Sequence, residues 1–272
     1  MEGGVNPRRG RLLLMGGAAG AGLLARFVDL AGATTARIVV IATASETPET
    51  AEAAYAEKFS ALGAGSVRAL RLTRRPEANA PGVDVLREAT GVFFTGGDQE
   101  RITSVIGGTA ADSLLQELSG TGALVLAGTS AGAAMMSATM ITGGDGTGVT
   151  ARSVSTGPGL EFLPGVLIDQ HFAERGRLNR LLSAVARYPH ELGVGIDEDT
   201  AILTDGDCFE VLGNGAVTVV DAGCATDIRV PGSGPIALAG ASIHVLPAGY
   251  TFHLTGRRPV VAAPAAERER AQ

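Results

Sequence analysis

Short apolar runs that stop at glycine alternate with stretches of helical spacing along the chain up to Asp197. Leu12–Met15 is wholly apolar and stops at Gly16-Gly17, as a strand buried on both faces stops at its loop; Leu23 to Leu30 then has helical spacing and ends at Gly32. Ala36–Ala44 is a β-branched run that reads as a second buried strand. Thr47 is placed as an N-cap, Pro48 as N1 and Glu49 as a first-turn acid of a helix reaching about Leu62. Ser66–Leu72 reads as a strand, Val83–Thr90 as a short helix and Gly91–Phe94 as a strand. Asp98 to Ile106 and Ala110 to Leu118 read as helices, and Ala123–Ala127 as a strand ending at Gly128. Val166–Asp169 is a short apolar strand, Glu174–Arg187 an amphipathic helix with Leu178, Leu181, Leu182 and Val185 inward, and Gly193–Ile196 closes this part. The alternation predicts an α/β fold, a doubly wound and mainly parallel sheet with right-handed crossovers.

After Asp199 the period shortens. Ala201–Leu203, Cys208–Leu212 and Ala216–Val220 read as strands joined by Asp205-Gly206 and Asn214-Gly215, both hairpin signals. The expected organisation is a single domain over residues 1–272. It has an α/β core over about 11–199, an antiparallel β extension over about 200–256 and a tail over about 257–272, frayed from Glu267 to Gln272.

Composition adds three constraints. With 272 residues, 45% hydrophobic and 18% charged, the chain can bury a substantial core, built from aliphatic side chains because Trp is absent and aromatics are 4%. The net charge of −6, with no long basic run, argues against nucleic acid as a partner. Lys58 is the only lysine among the basic residues, a bias that base composition of the genome can explain. Cys208 and Cys224 are too few for a disulfide framework or a four-ligand zinc site.

The N-terminus has two readings. Arg8, Arg9 and Arg11 before the apolar run Leu12–Leu24 look like the basic and apolar regions of an export signal with a twin-arginine pair. Cleavage there would remove the first strand, so the strand reading is preferred and a cytoplasmic location expected. No stretch of about 18 apolar residues is present, and no membrane span is expected.

The segment that carries chemistry is Leu124-Val125-Leu126-Ala127-Gly128-Thr129-Ser130-Ala131-Gly132-Ala133: an apolar strand, G-x-S-x-G, and a small-residue helix start. This is a nucleophile elbow. Its glycines allow a tight turn that lifts the Ser130 hydroxyl above the sheet. Backbone N–H groups nearby, those of Ala131 at the helix start and Gly97 in Thr95-Gly96-Gly97-Asp98-Gln99, suit an oxyanion. A serine needs a base. His171, in Asp169-Gln170-His171-Phe172 at the carboxyl end of a strand, is the candidate; His244 and His253 alternate with apolar residues, and His190 suits a helix exit. An orienting acid is available in Gly195-Ile196-Asp197-Glu198-Asp199-Thr200, where Asp197, Glu198 and Asp199 are equally placed. The order Ser, His, acid departs from that of the α/β-hydrolases. Beyond His171, Arg175, Arg177 and Arg180 crowd like charges beside the base, which an anionic ligand explains; Arg177 and Arg180 are expected to share a helical face. No metal-ligand spacing such as H-E-x-x-H occurs, so neither metal nor organic cofactor is expected.

At these residues the chain resembles a serine peptidase family that contains cyanophycinases and α-aspartyl dipeptidases. GGA after the first strand, FTGGDQ, GTSAGA, LPGVLIDQHFAERGRLNRL and GIDEDTA carry the resemblance, which runs to about Asp221. It implies a class I glutamine-amidotransferase-like, flavodoxin-related fold. It implies Ser130 as nucleophile, His171 as general base and Glu198 as the acid, with Gln99, Asp169, Gln170, Arg175, Arg177 and Arg180 contacting substrate. Within the family the arginine-rich run favours the cyanophycin polymer, a polyaspartate with arginine on each β-carboxyl, over free aspartyl or isoaspartyl dipeptides; the arginines would meet its carboxylates and Asp169 with the glutamines its guanidinium groups. A homodimer is expected. A non-catalytic binding member of the fold would have lost one of the three catalytic residues, and a cysteine-dependent amidotransferase would carry Cys where Ser130 stands. Gly17-Ala18-Ala19-Gly20 is apolar where many relatives carry charge, which leaves the role of that loop open.

Overall fold

A computed structural model describes residues 10–144 and 147–260. In chain order the first part comprises β1 (Leu12–Met15), α1 (Ala21–Leu30), β2 (Arg37–Ile41), α2 (Pro48–Ala61), β3 (Ser66–Ala69), β4 (Gly91–Phe94), α3 (Gln99–Ile106), α4 (Ala110–Gly120) and β5 (Val125–Thr129). It continues with α5 (Ala131–Ala134), β6 (Thr139–Gly143), β7 (Ser155–Pro158), β8 (Val166–Gln170), α6 (Leu178–Arg187) and β9 (Leu192–Ile196). The remainder is β: β10 (Thr200–Thr204), β11 (Cys208–Gly213), β12 (Ala216–Asp221), β13 (Asp227–Arg229), β14 (Ala237–Ala239), β15 (Ser242–Pro247), β16 (Thr251–His253) and β17 (Arg258–Val260).

Five parallel strands in the order β1-β5-β4-β2-β3 form the α/β half of a nine-stranded sheet; β10, β11, β16 and β17 extend it antiparallel from the β1 side. The residues of β1, β4 and β5 are buried throughout, which is why they are apolar without alternation. Apolar side chains of β1 divide between two layers: Leu12 and Leu14 pack with α3, α4 and α5, whereas Leu13 and Met15 pack with α1 and the Phe27–Phe59–Phe93 cluster. Leu12–Met15 is thus a strand between β5 and β10; Arg8 and Arg9 of the suggested export signal, and the tail Glu267–Gln272, lie outside the described residues. Among the described residues no helix is long and apolar enough to cross a membrane.

The sequence reading needs correction in five places. Val166–Gln170 and Leu192–Ile196 do not continue the main sheet; β8 and β9 pair in parallel within a second, four-stranded sheet, β15-β12-β9-β8. Asn214-Gly215 is not a hairpin: β11 lies in the large sheet and β12 in the small one, so the chain changes sheet there. The Asn214 amide and the Gly215 N–H are spent on Asp199 and Thr200. The helix expected from Glu174 begins at Leu178, because 172–177 wind through turns that include Gly176 in the left-handed region at φ +59°. Leu178 is consequently 41% exposed rather than inward, while Leu181 and Val185 are buried. Ser66–Leu72 pairs only as far as Ala69, and Thr47 precedes α2 without a side-chain capping bond. The Asp205-Gly206 turn does join a hairpin, β10 with β11.

Candidate active site

Ser130 follows β5, His171 follows β8, and Glu198 lies where the chain passes from β9 in the small sheet to β10 in the large one. All three stand at carboxyl ends of parallel strands, where open α/β sheets leave a crevice. The Ser130 hydroxyl donates to His171 Nε2 at 2.9 Å, and His171 Nδ1–H donates to Glu198 Oε1 at 2.5 Å. That is a nucleophile–base–acid relay with both links made.

The local sequence explains why these groups meet. Ser130 sits at φ 53°, ψ −113°, a strained conformation for a residue with a Cβ. The elbow glycines admit it: a Cβ on Gly128 would lie 2.1 Å from the Gly132 carbonyl oxygen, and one on Gly132 2.4 Å from that of Phe94. His171 is also left-handed, at φ 48°.

The loop after β1 ties the three segments together through its backbone. Met15 O accepts from Ser130 N–H, Gly16 O from His171 N–H and Gly17 O from Asp199 N–H, while Gly16 N–H donates to Thr200 O; all four bonds lie between 2.8 and 3.0 Å. A Cβ on Gly17 would fall 2.2 Å from His171 Cε1, so the imidazole rests against a bare backbone. The role that the sequence left open for this loop is therefore positional, and its signal was the Gly16-Gly17 pair.

The three acids separate cleanly. Asp197 accepts the N–H groups of Ala173 and Ala216, and Asp199 accepts from Gly20 N–H and Asn214 Nδ2. Both are occupied in holding loops. Glu198 alone reaches the imidazole, and its own N–H donates to the Glu174 carboxylate at 3.2 Å, a support that sequence reasoning missed.

The relay opens into a cleft of about 640 Å³ lined by Gln99, Gln170, Arg175, Arg177, Arg180, the Gly96-Gly97 turn and, from α2, Tyr55 and Lys58. Asp169 does not reach the cleft. It is fully buried, accepts Arg180 Nε at 2.9 Å and Arg180 Nη2 beside it, and lies 3.5 Å from Arg177. This corrects the expectation that Asp169 touches substrate: its charge is consumed by two arginines. Burial first, then the neighbouring Arg180, lowers the Arg177 guanidinium to about 10. Arg177 also donates to the Gln170 carbonyl and, at 2.5 Å, to Gln170 Oε1, which leaves the Gln170 amide hydrogens available. Gln99 is oriented oppositely: its Nε2 donates to Ile141 O at 2.9 Å, so its Oε1 is the free group. Arg175 is exposed in the turn ahead of α6 and has neither an ion pair nor a hydrogen bond from its guanidinium among the described residues. The N–H groups of Gly97 and Ala131 likewise have no protein acceptor among the described residues. His190, His244 and His253 do not line the cleft, and Cys208 and Cys224 are free thiols.

Residues 12–212 match the model of peptidase family S51. The chain belongs to this family. Its S51 relatives include a cyanophycinase of Nostoc sp., 40% identical over 256 residues that cover 90% of this chain and 86% of the relative. Another is a cyanophycinase of Geminocystis herdmanii, 35% identical over 262 residues covering 93% and 96%. In fold, this S51 peptidase is similar to a solved peptidase from an acI-B1 Actinobacterium, with a TM-score of 0.70 at 22% identity, covering 91% of this chain and 98% of that one. The S51 chain is accordingly a peptidase of serine type, with a hydroxyl and no thiol at its elbow.

Proposed function

We propose that the chain is a serine exopeptidase that hydrolyses cyanophycin from its end, releasing β-Asp-Arg dipeptides. Ser130 Oγ attacks the scissile carbonyl carbon while His171 Nε2 takes its proton, and Glu198 stabilises the imidazolium that forms. The N–H groups of Gly97 and Ala131 receive the developing oxyanion. His171 then returns the proton to the leaving amine. Water, deprotonated by His171, opens the acyl ester and regenerates the serine. Arg175 and Arg177 bind substrate carboxylates; Asp169 and Arg180 hold that wall rigid from behind. Substrate guanidinium groups meet neutral acceptors such as Gln99 Oε1.

The observation that carries this reading is the complete Ser130–His171–Glu198 relay opening into a cleft whose charged lining, among the described residues, is cationic. The test is mass spectrometry of the soluble products from purified polymer, with short aspartyl dipeptides as parallel substrates. β-Asp-Arg appearing from the first turnover is the expected result. Cleavage confined to the dipeptides, or release of long internal fragments, overturns it. Ser130→Ala lowers kcat/KM by about six orders of magnitude, the scale for loss of an acyl-enzyme nucleophile, with an unchanged melting curve.

A further inference from the structure

The chain's single lysine lies on the wall of this cleft. Lys58 is in the last turn of α2, three residues after Tyr55, so the two side chains are neighbours on one face. Its ammonium sits 5.0 Å from the centroid of the Tyr55 ring, a cation–π contact. Tyr55 in turn packs tilted against Phe59 and Phe93 of the core, which fixes the platform under the lysine. Among the described residues Lys58 makes no ion pair or hydrogen bond with a carboxylate, although Asp and Glu outnumber Lys and Arg 28 to 22. Among the described residues no Asp or Glu lines the cleft to offset it, and Asp169 is already engaged by Arg180 and Arg177.

We propose that Lys58, seated on Tyr55, binds a substrate carboxylate where α2 lines the cleft, on a different element from the arginine-bearing segment after β8. Three observations carry this: an ammonium without an acidic partner, a rigid aromatic seat beneath it, and its place in the cleft that the catalytic serine faces. The substrate class that such a cleft selects carries at least two carboxylates, one for the arginine wall and one for Lys58. This rests on the exopeptidase reading, under which the chain end of the polymer offers an aspartyl and an arginyl α-carboxylate. An ammonium suits the second position because it is a point charge that accepts a carboxylate from several directions, whereas a guanidinium imposes a fork.

Two measurements test it. In steady-state hydrolysis of soluble polymer, Lys58→Met raises KM about three- to tenfold, the scale of a solvent-exposed charge-assisted contact, while kcat changes less than about twofold. Lys58→Arg restores KM substantially and Lys58→Glu raises it further. In equilibrium binding to Ser130→Ala, β-aspartyl-arginine is compared with the same dipeptide amidated at its arginyl carboxylate and with the form amidated at its aspartyl carboxylate. Both amides lose affinity against the free acid, and Lys58→Met abolishes the loss for one of them while leaving the other. A Lys58→Met protein that retains wild-type KM and the same carboxylate preference overturns the proposal. So does a wild-type cleft indifferent to both amidations. The binding arm needs no turnover, so failure of the protein to degrade polymer leaves this result readable and counts against the exopeptidase reading alone.

Discussion

The two sides of the cleft are built on opposite plans. On the relay side the anchoring is mostly through the backbone: Ser130, His171 and Asp199, the neighbour of Glu198, bond to the consecutive carbonyls of Met15, Gly16 and Gly17, and strained φ angles are fixed by glycines with no room for a Cβ. On the recognition side the cations are graded by depth. Arg180 is locked against Asp169, Arg177 is partly shared with it, and Arg175 and Lys58 have no anionic partner among the described residues. The difference teaches that the bond-breaking geometry is preorganised while the outer charges are left for the ligand to complete. That arrangement suits a large polyelectrolyte substrate presented in many poses.

The sharpest way to break the comparison is at its acid. Glu198→Gln lowers kcat by about four orders of magnitude with little change in KM, as expected when an orienting carboxylate is lost. Asp197→Asn and Asp199→Asn lower the melting temperature instead, because each removes an acceptor of loop N–H groups. If Asp197→Asn or Asp199→Asn lost kcat on that scale while Glu198→Gln kept activity, the assignment of the relay would fall.

Asp169→Asn comes next. It strips the carboxylate from the buried Arg180 and from the half-buried Arg177, so stability drops by about 3–5 kcal/mol in chemical denaturation, the scale for one partner lost from a buried pair. A loss of activity with unchanged stability would instead return Asp169 to direct substrate contact. Gly17→Ala is smaller. The new methyl displaces the imidazole it would overlap, and kcat falls about a hundredfold, as for a displacement of about 1 Å, with KM nearly constant. Wild-type kcat in Gly17→Ala would show that the loop is not the rest on which His171 is set.

The smallest effect is in pH. Arg177 is charged below about 10 and neutral above it, so its hold on a substrate carboxylate is present at neutral pH and lost as pH rises through that value; KM climbs there. The same depression below the ordinary guanidinium value means that the unfolded chain keeps this proton more readily. The charged group therefore opposes folding at neutral pH, and that opposition fades as pH rises above about 10. A KM flat through pH 10.5 would remove Arg177 from carboxylate binding.

Much of this was legible in the sequence, and the unread part has physical causes. The buried parallel strands announced themselves because both faces are apolar: Gly91–Phe94 matches β4 to the residue. Ser130 and His171 were readable because each follows such a strand. The choice among Asp197, Glu198 and Asp199 was not, since three adjacent carboxylates differ only in which way the turn sends them. The helix start at Leu178 was missed because residues 174–177 have helical periodicity and a glycine that a turn can also use. The separation into two sheets was invisible, because β8 and β9 are as apolar as strands of the main sheet and Asn-Gly serves a crossing as readily as a hairpin. Lys58 stood out in the sequence only as the single lysine, because nothing in the pattern places it over Tyr55 beside the cleft.

The division into two sheets makes the relay a gauge. Ser130 is carried by the large sheet and His171 by the small one, so the 2.9 Å between hydroxyl and imidazole is also a measure of how the two sheets sit against each other. Any slippage along that seam lengthens a bond whose function tolerates only tenths of an ångström, long before secondary structure melts. Turnover in mild denaturant should then decline ahead of the loss of helix signal, which makes the enzyme a reporter of its own assembly: the chemistry stops as soon as the halves cease to be in register.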